Sequence, residues 1–131
     1  MIREKLISVD TTGTAGSATG AANSGEAIVG RILALYFDYH ASTPATADVT
    51  VTERVGTTDR QTICVETDST TDVMRYPRRA VEDNAENTVT YDGTNEIYEP
   101  YVTTGQIRVA VAGGDALTAA VVVSVIYEEL D

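Results

Sequence analysis

Apolar residues in this chain recur mostly at every second position and are rich in β-branched side chains, the period of a half-buried strand. The longest such stretch is 27–40, AIVGRILALYFDYH, in which Leu33, Leu35, Phe37 and Tyr39 fall on one face and Ala34, Tyr36, Asp38 and His40 on the other. Ile2 to Val9 predicts a first strand. Val49, Val51, Glu53 and Val55 alternate with Thr50, Thr52 and Arg54, and Thr62 to Thr67 predicts another strand. Gln106 to Ala112 alternates cleanly, and Leu117 to Glu129 predicts a last, buried strand through AAVVVSVIY. Shorter extended pieces are predicted at Val73 to Arg78, closed by Pro77, at Thr88 to Tyr91, and at Glu96 to Val102, interrupted by Pro100. The turn signals ASTPAT, GTTDR, DSTTD, DGTN and GGD separate these segments. Only the polar run RRAVEDNAEN has room for a helical turn.

About eight or nine strands at turn spacings of roughly ten residues predict an all-β fold. The expected architecture is a single-domain β-sandwich of jelly-roll or Greek-key type, with a closed barrel as the alternative. Residues 26–131 make the sandwich. Residues 1–25 make an N-terminal strand and a flexible arm, because TTGTAGSATGAANSG (11–25) holds nothing charged and nothing larger than Thr or Asn. A linker or a plain loop are the other readings of that ribbon. As an arm, its small residues would let the backbone lie flat on a partner, with Thr11, Thr12 and Thr14 supplying hydrogen bonds.

A chain of 131 residues buries a core without a staple, and one cysteine, Cys64, forms no internal disulfide and no multi-cysteine zinc site. The opening MIREKLISVD lacks an apolar core, so no secretory signal is expected, and no apolar run is long enough to span a membrane. Nine Lys and Arg against twenty Asp and Glu give a net charge of −11. Such a surface repels nucleic acid, and the single lysine leaves no polybasic membrane patch. Neither nucleic acid nor membrane is an expected partner.

Candidate chemistry is thin. His40 is the one histidine, with Asp38 and Ser42 nearby, but Asp38 and His40 share a strand face and no serine sits in a nucleophile elbow. Cys64 is expected to pack in the core. Twenty acids yield chance pairs, and DSTTD lacks the spacing of an EF-hand loop. No enzyme activity, cofactor or metal is expected. Tyr76, Arg78 and Arg79 in YPRR, and Tyr98 and Tyr101 in YDGTNEIYEPY, belong to the residue types that dominate protein contact hot spots. They are the candidate partner-contact residues, beside the three threonines.

The opening MIREKLISVDTTGTAGSATG, DYH at 38–40, YPR at 76–78, YDGT at 91–94, YEPY at 98–101 and GDALT at 114–118 together resemble small proteins encoded among the head genes of tailed phages and prophages. The resemblance covers nearly the whole chain and carries no catalytic motif. It implies a structural protein of the virion, similar to capsid decoration or cement proteins. The partner it implies is the major capsid protein, the assembly a homotrimer on the capsid exterior, and the site of synthesis the host cytoplasm. A tail, neck or fibre-associated protein is the alternative, and a carbohydrate-binding sandwich a more distant one.

Overall fold

The computed structural model describes residues 1–130, and among them it contains strands, turns and bridges but no helix. Eleven strands follow in chain order: β1 (Ile2–Val9), β2 (Ala18–Asn23), β3 (Gly30–Tyr39), β4 (Asp48–Val55), β5 (Thr58–Glu66), β6 (Val73–Arg75), β7 (Arg78–Ala80), β8 (Tyr98–Pro100), β9 (Val102–Thr103), β10 (Gln106–Gly114) and β11 (Val121–Glu129). The first sheet has the order β1-β11-β3-β6, with β9 also beside β3. The second has the order β2-β10-β4-β5, and β7 and β8 form a separate pair. Every pairing is antiparallel.

The alternation in the sequence explains the packing. On β11, Val121, Val123, Val125 and Tyr127 point inward, and on β4 and β10 the inward set is Val49, Val51, Ile107, Val109 and Val111. Residues of both sheets join in one buried cluster around Phe37, Leu35 and Ile32. Burying each such side chain contributes about 1.5–3 kcal/mol relative to exposure.

In β3 the alternation changes phase. Ala34 pairs Ile126 while Ile32 pairs Tyr127, which leaves Leu33 as the extra residue of a bulge. Leu35, Phe37 and Tyr39 are buried as the alternation predicts, but below the bulge Ile32 is buried and Leu33 only half-buried. Strict alternation from Leu33 onward therefore misplaces that one residue.

The Thr11–Gly25 ribbon is part of the fold and not a loose arm. Thr11 is buried, its N–H donates to the Leu117 carbonyl at 2.9 Å, and its hydroxyl accepts the Leu117 N–H at 3.1 Å. Thr12 and Thr19 exchange two backbone bonds of 3.0 Å, and Ala18–Asn23 form β2 against β10. The small residues have a steric cause: a Cβ on Gly20 would lie 2.0 Å from the Asp10 carbonyl oxygen. The chain doubles back so tightly that only glycine fits there. The helical turn anticipated in RRAVEDNAEN is also absent. Arg78–Ala80 are strand, and the rest is bridge and turn.

Candidate functional site: an exposed tyrosine lobe

Between β6 and β9 the chain leaves both sheets. No residue from 76 to 102 is buried. The lobe is built from three short extended segments. Val81 donates to Ile97 at 2.9 Å, Val89 to Val81 at 2.9 Å, and Ile97 to Val89 at 3.4 Å. Two aspartate turns join the segments. The Asp83 carboxylate accepts the N–H of Asn87 at 3.0 Å and of Ala85 at 2.8 Å. The Asp92 carboxylate accepts the N–H of Asn95 at 2.6 Å and of Thr94 at 2.9 Å. Asp followed by small or amide residues folds this way because its side chain mimics a backbone turn. These bonds, those from Asn87 and Asn95 foremost, hold both carboxyls below the usual aspartate range.

The expected contact residues divide into two groups. Tyr76 and Tyr98 stand exposed, at 65% and 61%. Arg78 anchors the root of the lobe, donating to the carbonyls of Leu33 at 3.1 Å and Pro77 at 2.8 Å. Arg79 bridges Glu82 at 3.2 Å and Glu99 at 3.4 Å, across the start and end of the lobe. Tyr98 donates its hydroxyl to Glu96 at 3.0 Å, and that carboxylate raises the phenol's pKa. Tyr101 packs half-buried against the core. The structure thus brings Tyr76, Arg78, Arg79, Tyr98 and Tyr101 to one lobe and its base. Thr11, Thr12 and Thr14 belong elsewhere, in the turn between β1 and β2. Thr11 is spent on internal hydrogen bonds, Thr12 pairs Thr19, and only Thr14 presents an exposed side chain free of a ladder.

Two surface features lie outside the residues named above as contact candidates. Tyr91, beside the second aspartate turn, is 70% exposed. The outward face of the first sheet carries a row, apolar at every position but Ser124, across three pairings: Leu6 opposite Ser124, Ser124 opposite Tyr36, and Tyr36 opposite Met74. The alternation placed Tyr36 on that face, but only the sheet order brings the row together.

The polar groups nearest the core hold the scaffold together. Glu53 sits on the inward face of β4, at the end of the row begun by Val49 and Val51, and is 3% exposed. Its carboxylate accepts from Thr104 N–H at 2.6 Å, Arg60 at 2.9 Å, Gly105 N–H at 3.0 Å and Gln61 at 3.0 Å. Burial alone would raise its pKa, but these donors outweigh it and the value falls below the ordinary one. Glu66, also buried, pairs with Arg75 through two guanidinium nitrogens. Cys64 lies half-buried against the core, where burial pushes its thiol pKa up and weakens it as a nucleophile. His40 is exposed, and its Nδ1 accepts the Ser42 N–H at 3.0 Å. Among the described residues no cluster of three or more His, Cys, Asp or Glu is placed to hold a metal ion.

No family model, curated protein or solved structure matches the chain.

Proposed function

We propose that this chain is a structural protein of a tailed-phage virion. In this reading it is a capsid decoration protein that binds the outer shell and bridges neighbouring major capsid subunits. The observation that carries the reading is where the resemblance motifs fall. Of the motifs, YPR, YDGT and YEPY lie on the exposed lobe and its base, with only Tyr101 packed against the core. The lobe has no buried residue of its own and presents Tyr76, Tyr91 and Tyr98 on a framework fixed by two aspartate turns. Preset aromatics lose little entropy on docking, which suits an anchor.

The finer fold fits the same reading. The eight principal strands β1 to β6, β10 and β11 divide into β1-β11-β3-β6 and β2-β10-β4-β5, an order that supports a jelly roll, an architecture shared by capsid proteins and lectins. Within 76–101, Arg78 and Arg79 stand with six carboxylates, so the lobe suits a shell surface rich in Lys and Arg. The acidic body suits the side facing away from packaged genome. Modest contacts repeated over a shell would give strong avidity without new chemistry.

The test is add-back to capsids purified without the protein. Saturable binding at many sites over the head, with greater resistance of the shell to heat, is the expected result. Binding confined to one vertex or to the tail would favour a neck, tail or fibre role. No binding to any virion part would defeat the reading.

A further inference from the structure

The two larger sheets end in four edges among the described residues, and three are blunted. β6 is three residues long and followed two positions later by Pro77. β5 pairs β4 with two register shifts. β2 is overlain at Thr19 and Gly20 by the chain at Asp10–Thr12. Short strands, bulges and covering loops are the devices that keep edges from pairing with other chains. The fourth edge, β1, has none of them. It runs for eight residues in unbroken register with β11 and has no neighbour on its other side. Its two charged residues on the inward face are engaged within the fold, Arg3 by Glu129 and Lys5 by Glu26 at 3.6 Å.

The hydrogen-bond phase of this edge is fixed. Met1 and Val9 turn their carbonyls toward β11, accepting from Glu129 and Ala120 at 2.8 Å each. Strand alternation then turns the N–H and C=O of Ile2, Glu4, Leu6 and Ser8 to the open side. The outward side chains on the same residues include Ile2 and Leu6, 62% and 58% exposed. On a chain of net charge −11, this is a stretch where two copies can approach without massed carboxylates.

We propose that β1 pairs antiparallel with β1 of a second copy, joining the two first sheets across a two-fold axis at Leu6. The sequence selects that register. A two-fold axis perpendicular to the sheet sets one residue opposite itself. Centring on Glu4 or Lys5 would oppose like charges, and centring on Ile7 would set Glu4 against Asp10. Centring on Leu6 sets Leu6 against Leu6, Glu4 against Ser8, and Lys5 against Ile7 of the other copy. The open-edge bonds of Leu6 then close reciprocally, and the apolar row through Tyr36 and Met74 runs on into the second copy. This pairing does not depend on the virion reading, and it predicts a dimer where the resemblance implies a homotrimer.

The experiment is light scattering on the full chain combined with cysteine cross-linking in a Cys64→Ala background. The expected mass is twice the 13.9 kDa of one chain. Leu6→Cys should cross-link to a dimer on mild oxidation, because opposed residues in a hydrogen-bonded pair lie about 5.5 Å apart at Cα, within disulfide reach. Ile2→Cys should not, because its two copies would sit roughly 27 Å apart along the paired strands. Leu6→Lys, at an exposed position, should keep the fold by circular dichroism and lose the dimer. A monomer at high micromolar concentration, a trimer, a dimer that survives Leu6→Lys, or equal cross-linking at Ile2 would each overturn the proposal.

Discussion

Removing the Glu53 carboxylate tests whether a buried charge holds the second sheet to the β9–β10 turn. Four donors converge on it, two of them backbone N–H groups of Thr104 and Gly105. Glu53→Ala leaves the buried Gly105 N–H without its acceptor and frees Arg60 from its partner. Breaking one side of a buried ion pair costs about 3–5 kcal/mol. Water reaches Thr104 and Arg60, both exposed, so the lower end applies, about 3 kcal/mol. For a chain of this length that corresponds to a fall in Tm of roughly 10 °C. Glu53→Gln keeps the shape and one acceptor oxygen and should cost about 1–2 kcal/mol.

The pH dependence separates charge from shape. The folded-state pKa of Glu53 lies below the unfolded value, so its stabilisation is fully present above the unfolded pKa, about 4.3. It is lost as pH falls through the folded value. Urea unfolding followed by tyrosine fluorescence from pH 7 down to the acid limit measures this directly. The wild-type chain should lose more stability below about pH 4.3 than Glu53→Gln does. Parallel stability curves for the two, or a Glu53→Ala chain within about 1 kcal/mol of wild type, would refute the argument.

Other outcomes follow from the same geometry. Gly20→Ala should destabilise by at least about 1–3 kcal/mol in urea unfolding, since its Cβ would meet the Asp10 carbonyl at 2.0 Å. Asp92→Ala should speed hydrogen exchange at the Thr94 and Asn95 amides and leave global unfolding unchanged. In the wild-type chain, that protection should fade as pH drops through the depressed Asp92 pKa. Tyr76→Ala and Tyr98→Ala should weaken shell binding by about 2 kcal/mol or more each, with no loss of thermal stability, because both side chains are exposed.

The strands with large side chains were legible from the sequence. β1, β3, β4, β10 and β11 each bury a row of bulky residues on one face, so their alternation survives in the order of residues. β2 was not legible, because Ala18, Gly20 and Ala22 carry too little apolar area to mark a face. Its pairing depends on β10, more than eighty residues away in sequence, and on the tight return at Gly20. The Leu33 bulge was hidden for a related reason, since a single extra residue has no signature of its own. The tyrosines of the lobe were found by type. Their shared location needed the aspartate turns, whose sequences DNAEN and DGTN could be read singly but not as one platform.

β11 lies between β1 and β3 in the first sheet, although it follows both, and every other described strand, in the sequence. The early strands β1 and β3 therefore share no neighbour until Val121–Glu129 has been made. During translation they must wait with apolar faces open, and the sheet closes only after synthesis has passed β11. A messenger truncated before that strand would yield no smaller version of the protein. It would yield an incomplete sheet with two exposed rows of backbone donors and acceptors, a substrate for chaperones and proteases.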